Sequence, residues 1–334
     1  MMKKRELGFD LLKLFAIYLV IWGHCTQYFF SSDKLEEPIF RIIYSFHMPL
    51  FIMISGYFST SSLKKNIPDL FSQKFIQLIV PCVTWGTLLF LRKIILEFDS
   101  VDISFQLWTH YSLRILWFLK CLFICYIIYY FSFKYITNKF FSIVVFILIG
   151  MNTPFYQVNV LYPYFLIGVI MHMYQGYIDQ YKKYIGLTSM ISFLFLHFVM
   201  LYLNIQSVYL DNSWISNVTA LMGCFCFIYL FRLIKGESRF LKILSGYGQC
   251  TLGVYILQTF ILELILSRLI QLDDLNFFVS NLLINPILSG VILFVCVLLT
   301  KVLCRSRYID LIFMGNLNFR YAIASHKTKM TPHK

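Results

Sequence analysis

The sequence predicts an all-α integral membrane protein of about ten transmembrane helices, with both termini in the cytoplasm. Three observations predict it. Hydrophobic residues make up 59% of the 334 and charged residues only 13%, with a mean hydropathy of +0.72. A soluble domain averages about 25% charged residues, so this chain carries more apolar surface than an aqueous fold can hide. The apolar residues gather into ten stretches, most near the roughly 20 residues that a bilayer demands. Finally, the cations between those stretches alternate sides. Twenty of the 29 Lys and Arg fall in connections on the side of the N-terminus; the opposite connections hold one, Lys34, among acids that include Asp33, Glu36, Glu37, Asp99, Asp102, Asp211, Asp273 and Asp274. The positive-inside rule makes the cation-rich side the cytoplasm.

The first span, about 9–30, follows Lys3, Lys4 and Arg5 and is too long for a signal peptide, with no small-x-small cleavage site behind it. The second, 40–58, returns inward and contains Pro49 and Gly56, which loosen a helix and leave backbone groups that need partners. The third, 75–97, starts beside Lys74. The fourth, 112–132, begins at an aromatic belt, with Trp108 and Tyr111 at the interface and Trp117 just inside, and closes before Lys134. The fifth and sixth, 140–151 and 160–175, are short. The seventh, 185–205, follows Lys182 and Lys183, and the eighth, 214–234, ends at Arg232 and Lys235. The ninth, 251–271, carries Glu263 with Arg268 slightly more than a turn away, a spacing that suits an ion pair. The tenth, 280–304, stops before Arg305 and Arg307.

Residues 1–310 thus read as one membrane domain and 311–334 as a short basic cytoplasmic tail. The nine cysteines form no CxxC pair and sit in or beside apolar runs, as small core hydrophobes do. No metal site is indicated. Neither GxxxxGK[ST] nor GxGxxG occurs, so nothing suggests ATP hydrolysis or a dinucleotide fold. Topology accounts for the net charge of +13 without nucleic acid, and the partners expected are membrane lipids.

Ionisable groups are costly in hydrocarbon and usually face a bundle interior. Lys13 and His24 are eleven residues apart in the first span, on one helix face and roughly 16 Å apart along its axis. Asp10 lies one turn from Lys13 and can pair with it; Lys13 can equally be read as snorkelling to the cytoplasmic interface. His47 in the second span falls at a depth similar to that of His24, and the two make a candidate reactive centre. His172 and His197 read as hydrogen-bonded packing residues, and His110 belongs to an outer connection.

Taken in order, these residues resemble the membrane acyltransferase family 3, bacterial enzymes that O-acylate cell-surface glycans. Asp10-Leu-Leu-Lys13, ten residues and Gly23-His24 match the family's opening Asp-x-x-Arg/Lys and Gly-His. Phe46-His47-Met48-Pro49-Leu50-Phe51 with Ser55-Gly56-Tyr57 is similar to its second-helix motif. Lys74-Phe-Ile-Gln77-Leu-Ile-Val-Pro81 resembles the basic start of its third helix, with Gln77 at the second basic position. Leu116-Trp117-Phe118-Leu119, Tyr164-Phe165-Leu166-Ile167-Gly168 and Thr251-Leu252-Gly253-Val254-Tyr255-Ile256-Leu257 resemble later motifs, the last followed by Gln258 where the family usually has histidine.

The resemblance implies transfer of an acyl group, most often acetyl, from cytoplasmic acyl-CoA to a hydroxyl of a cell-surface or lipid-linked glycan, in the plasma (inner) membrane. It implies His24 as general base, with His47 orienting it or polarising the thioester carbonyl. A transient acyl-histidine is the other route. Lys13 and Lys74 would hold donor phosphates, with Asp10 orienting Lys13, and Ser55, Tyr57 and Trp117 would contact the acceptor. The alternative is a polytopic transporter or flippase for a lipid-linked glycan. It would need a polar path across the bilayer, whereas the polar residues cluster in the first three spans.

The charge pattern yields a topology prediction. Reporter fusions after Lys65, Lys183 and Lys242 should read cytoplasmic, and fusions near Asp102, Asp211 and Asp274 external. Inversion at Asp274 alone would remove the eighth or ninth span.

Overall fold

A computed structural model describes residues 7–29, 38–96, 105–203, 214–234, 236, 238–266 and 279–316. Among them every element is helical: α1 (Leu7–Phe29), α2 (Pro38–Phe58), α3 (Ile67–Leu78), α4 (Val80–Leu96), α5 (Phe105–Arg114), α6 (Trp117–Lys134), α7 (Lys139–Met151), α8 (Val158–Met173), α9 (Gln175–Gln180), α10 (Lys182–Tyr202), α11 (Trp214–Arg232), α12 (Arg239–Gly248), α13 (Thr251–Phe260), α14 (Asn285–Leu303) and α15 (Arg307–Met314). A π-helical turn, Ile261–Ile265, extends α13, and another, Ser280–Ile284, leads into α14.

Each of the ten apolar stretches contains a helix. Among the described residues, seven candidate spans are long and apolar enough to cross a membrane, α2, α3 with α4, and α14 being counted with the short turns that continue them. The helices α7, α8 and α13 are shorter, at 13, 16 and 10 residues. On α10 and α14 large apolar side chains point outward, among them Ile191, Leu194, Phe195, Ile287, Val291 and Phe294. Such continuous apolar faces would associate in water, and hydrocarbon is the solvent that accepts them. The chain is a multi-pass, all-α membrane protein.

Three boundaries differ from those expected. The third stretch begins at Ile67 rather than 75, because α3 is polar enough to escape a hydropathy reading yet joins α4 across Ile79 with little interruption. The fourth is not one helix from 112. Leu116 takes a left-handed backbone, φ 52°, which ends α5 and starts α6 at Trp117. The boundary expected at residue 310 falls inside α15, which packs on α4: Thr84 Oγ1 donates to Ile312 O at 2.9 Å and Trp85 Nε1 to Phe313 O at 3.0 Å. These bonds fill C-terminal carbonyls that a helix end leaves open. Lys34, Arg268 and residues 317–334 lie outside the described residues, as does the side chain of Glu263.

α1 is the hub, packed against α2, α11, α12, α13 and α14. The most intimate pairing is α2 with α8. A β-carbon on Gly56 would strike the carbonyl oxygen of Phe165, and one on Gly168 would strike that of Met53. Lipid offers no hydrophobic force between helices, so this backbone-to-backbone approach, which only small residues permit, supplies the association.

Gly56→Val and Gly168→Val should each abolish the folded, detergent-extractable protein, with a cost at or above the about 1–3 kcal/mol typical of overpacking. Gly176→Ala and Gly246→Ala, where a β-carbon meets nothing within 4 Å, should elute and melt like the parent in fluorescence-detected gel filtration.

Candidate active site

Helix α1 places Asp10, Lys13 and His24 along one unbroken cylinder, and each is met by a different partner. Lys13 Nζ lies 3.4 Å from Asp10 Oδ1, and Ser245 Oγ of α12 donates to Asp10 Oδ2 at 3.3 Å. Gly248 closes the same corner, since any side chain there would enter the Asp10 carbonyl. The ammonium of Lys13 stands 4.9 Å from the centre of the Phe58 ring. Lys74, on α3, sits 3.7 Å from the centre of the Tyr126 ring and 3.4 Å from Gln77 Oε1, while Tyr126 OH donates to Ser55 O at 3.3 Å. The two lysines therefore approach the C-terminal end of α2 through its own side chain and backbone.

About two turns beyond Lys13 along α1, a cavity of about 530 Å³ begins at Val20 and reaches Tyr28. His24, His47 and Trp117 all line it, together with Tyr44, Tyr255 and Thr259. His47 is buried and His24 half-buried.

Hydrogen bonds determine which ring nitrogens remain available. His24 Nδ1 is 2.9 Å from Gln258 Oε1, and Gln258 Nε2 donates to Tyr255 O at 3.3 Å and Thr259 Oγ1 at 2.9 Å. A carbonyl oxygen only accepts, so the amide NH₂ must face Tyr255 and the amide oxygen must face His24. Nδ1 of His24 therefore carries the hydrogen, and in the neutral ring Nε2 keeps its lone pair. His47 repeats the arrangement: its Nδ1–H donates to Ile43 O at 2.8 Å, again leaving Nε2 as acceptor. The glycine of Gly23-His24 also has a physical reason, since a β-carbon there would meet Tyr44 Cε2 at 2.5 Å. Tyr44 in turn sets its ring edge-on to His47, with centroids 4.7 Å apart.

The sequence profile described as "Acyltransferase domain" matches residues 6–302. The chain belongs to the acyltransferase 3 family. Among curated proteins it is similar to the nodulation protein NolL of Mesorhizobium japonicum, 41% identical over 93 residues, and to that of Sinorhizobium fredii, 34% identical over 94. Each alignment covers 27% of this chain and 25% or 26% of the relative, so the likeness to NolL spans about a quarter of either protein. No solved structure matches. The family is thus what the comparisons show of this chain.

Within the chain the structure brings His24, His47 and Trp117 to one cavity and leaves the other expected positions elsewhere. Ser55 and Tyr57 do not line it. Tyr57 is buried, its ring stacked on Phe9 with centroids at 4.6 Å and edge-on to His172 at 5.0 Å. Lys13, Asp10 and Lys74 lie toward the opposite end of α1 and α2. His197 Nδ1 donates to Phe193 O at 3.0 Å within the α10 packing. Among the described residues no group of three or more His, Cys, Asp or Glu is placed to hold a metal. Sequence reasoning missed Gln258 as the partner of His24, Tyr44 as the ring seated on Gly23, and the arrival of His110 and Arg114 at the cavity. The one available signal was the departure from histidine at 258.

Proposed function

We propose that this acyltransferase moves an acyl group, acetyl by preference, from cytoplasmic acyl-CoA to a hydroxyl of a cell-surface or lipid-linked glycan. It does so as a ten-span protein of the plasma (inner) membrane with both termini in the cytoplasm. The observation that carries this reading is the His24–Gln258 hydrogen bond, which ties Nδ1 and leaves Nε2 as a lone pair on a ring that faces the cavity.

A sugar hydroxyl is a poor nucleophile at neutral pH, and a positioned base contributes typically 10²–10⁴-fold. The acceptor oxygen attacks the thioester carbonyl carbon while its proton passes to His24 Nε2. Collapse of the tetrahedral intermediate breaks the C–S bond, and the proton on His24 goes to the departing CoA thiolate. Gln258 orients the base through an uncharged contact. His47, with Nδ1 held by Ile43 O, serves as a second acceptor; polarising the thioester carbonyl would require another proton on its Nε2. Lys13, steadied by Asp10, and Lys74 hold donor phosphates on the cytoplasmic side, and the slender pantetheine arm spans the about 10 Å between Lys13 and the cavity floor at Val20. Trp117 packs against the acceptor. The positions of Ser55 and Tyr57 suit support of the donor end of α2 better than contact with the sugar.

Mass spectrometry of surface glycans with and without the gene tests the reading: deletion should remove one acetyl mass per modified unit, and an unchanged spectrum would dismiss glycan acylation. In the purified enzyme, His24→Gln should insert normally yet lose at least about 10²-fold in kcat with donor binding intact. A near-parental rate would move the base to His47. Gln258→Leu should lower kcat by about 10-fold or more at unchanged KM for acyl-CoA, whereas Gln258→Glu, which still accepts from Nδ1–H, should retain more activity.

At the donor end, Lys13→Ala and Lys74→Ala should raise KM for acyl-CoA. Lys13→Arg should do so less, because a guanidinium keeps the charge and grips phosphate through two hydrogen bonds. Equal loss in Lys13→Ala and Lys13→Arg with normal CoA binding would reassign Lys13 to packing against Asp10 and Phe58.

A further inference from the structure

Among the described residues, three that are not glycine have a positive φ: Leu116 at 52°, Tyr156 at 53° and Gln157 at 59°. They come from two separate turns, α5–α6 and the one before α8, yet they converge on one place. Leu116 and Gln157 line the cavity that holds His24, and the Tyr156 ring lies 5.4 Å from the ammonium of Lys120 just behind it. Left-handed backbone at residues with a β-carbon persists only where the surroundings impose it, and such strain gathers at functional sites.

Lys120 stands at the first of these turns. Only 6% exposed, it donates to Leu113 O at 3.0 Å and to Ile115 O at 2.5 Å, capping the end of α5. Capping open carbonyls is ordinarily work for a basic side chain in the last turn of the helix itself. Arg114 occupies that last turn and is relieved of the task. Its exposed guanidinium lies on the cavity instead, Nη1 donating to His110 Nε2 at 3.2 Å. Since a guanidinium has no acceptor, His110 Nε2 must be the lone pair, and His110 presents Nδ1–H as a further donor.

The balance of charge at this cavity is one-sided. Among the described residues that line it, Arg114 has the only formal charge, and no carboxylate is present. A neutral sugar displays hydroxyl donors that carboxylates best satisfy; this rim offers an Arg fork and an imidazole N–H, which match the oxygens of an anion. A cavity of about 530 Å³ is about 10 Å across if spherical, enough for a sugar ring or two. We propose that Arg114 with His110 forms an anion-reading subsite for the acceptor. The glycan unit acylated at His24 carries a carboxylate or phosphate, held by this pair while its hydroxyl faces Nε2. The proposal rests on the acyl-transfer reading above.

The test uses the full-length enzyme in phosphatidylcholine nanodiscs with methyl glucoside, methyl glucuronide and glucose 1-phosphate as probes. Binding is read by saturation-transfer NMR, and acetyl transfer from radiolabelled acetyl-CoA is read in the same samples. Both anionic probes, or whichever of the two matches the natural group, should bind at least about 10-fold tighter than methyl glucoside. Arg114→Gln should erase that preference and Arg114→Lys keep part of it, with melting temperature and CoA binding unchanged in both. No preference in the parent enzyme, no measurable binding of either anionic probe, or a preference that survives Arg114→Gln would overturn the subsite. Loss of the preference when phosphatidylglycerol is added to the nanodiscs would assign Arg114 to a lipid headgroup, and so also overturn it. Anion-selective binding without transfer to any sugar would leave the subsite standing and sink glycan acylation, so the two failures are distinct.

Discussion

Hydrocarbon cannot solvate a backbone N–H or C=O, and that constraint organises this molecule. Where α-helices run unbroken the requirement is met internally. Where they break, side chains must serve the freed groups, and several of the residues around the cavity and the α4–α15 contact are found doing so. Lys120 serves the end of α5, and Thr84 and Trp85 serve the end of α15. The polar inventory that a membrane protein can ill afford is concentrated at its irregularities, and the cavity lies among them.

Much of the architecture was legible because hydropathy and charge alternation are properties of the solvent rather than of any tertiary contact. All ten apolar stretches contain helices, and the family inferred from Asp10, Lys13, Gly23-His24 and the second-helix motif is the family the chain belongs to. The interruption at Leu116 was not legible, since leucine seldom adopts a left-handed backbone and nothing local announces it. The ammonium that caps the neighbouring carbonyls of Leu113 and Ile115 comes from Lys120, beyond the break. Ser55 and Tyr57 belong to the expected site through the resemblance of the second-helix motif that they share with His47. Eight to ten residues of helix carry them about 12–15 Å along α2, toward the lysines and away from the cavity.

Gln258 was harder to read. In sequence it is only a missing histidine; in space it is the acceptor that fixes the hydrogen of an imidazole 234 positions away. An amide does this without charge, so the orienting contact and the electrostatics of the base are separable here, as they would not be with a carboxylate or a second imidazole. The same cavity draws its remaining character from Arg114, whose charge has no counterpart among the described lining residues.

The seat that Gly23 provides for Tyr44 has a meaning beyond this one chain. A side chain at 23 would displace a ring that itself braces His47, so the fitness of any residue at 23 depends on what stands at 44. Drift across such a pair must pass through a smaller ring or remain blocked. Two positions on neighbouring helices are thereby coupled by shape, the size allowed at 23 being set by the ring at 44.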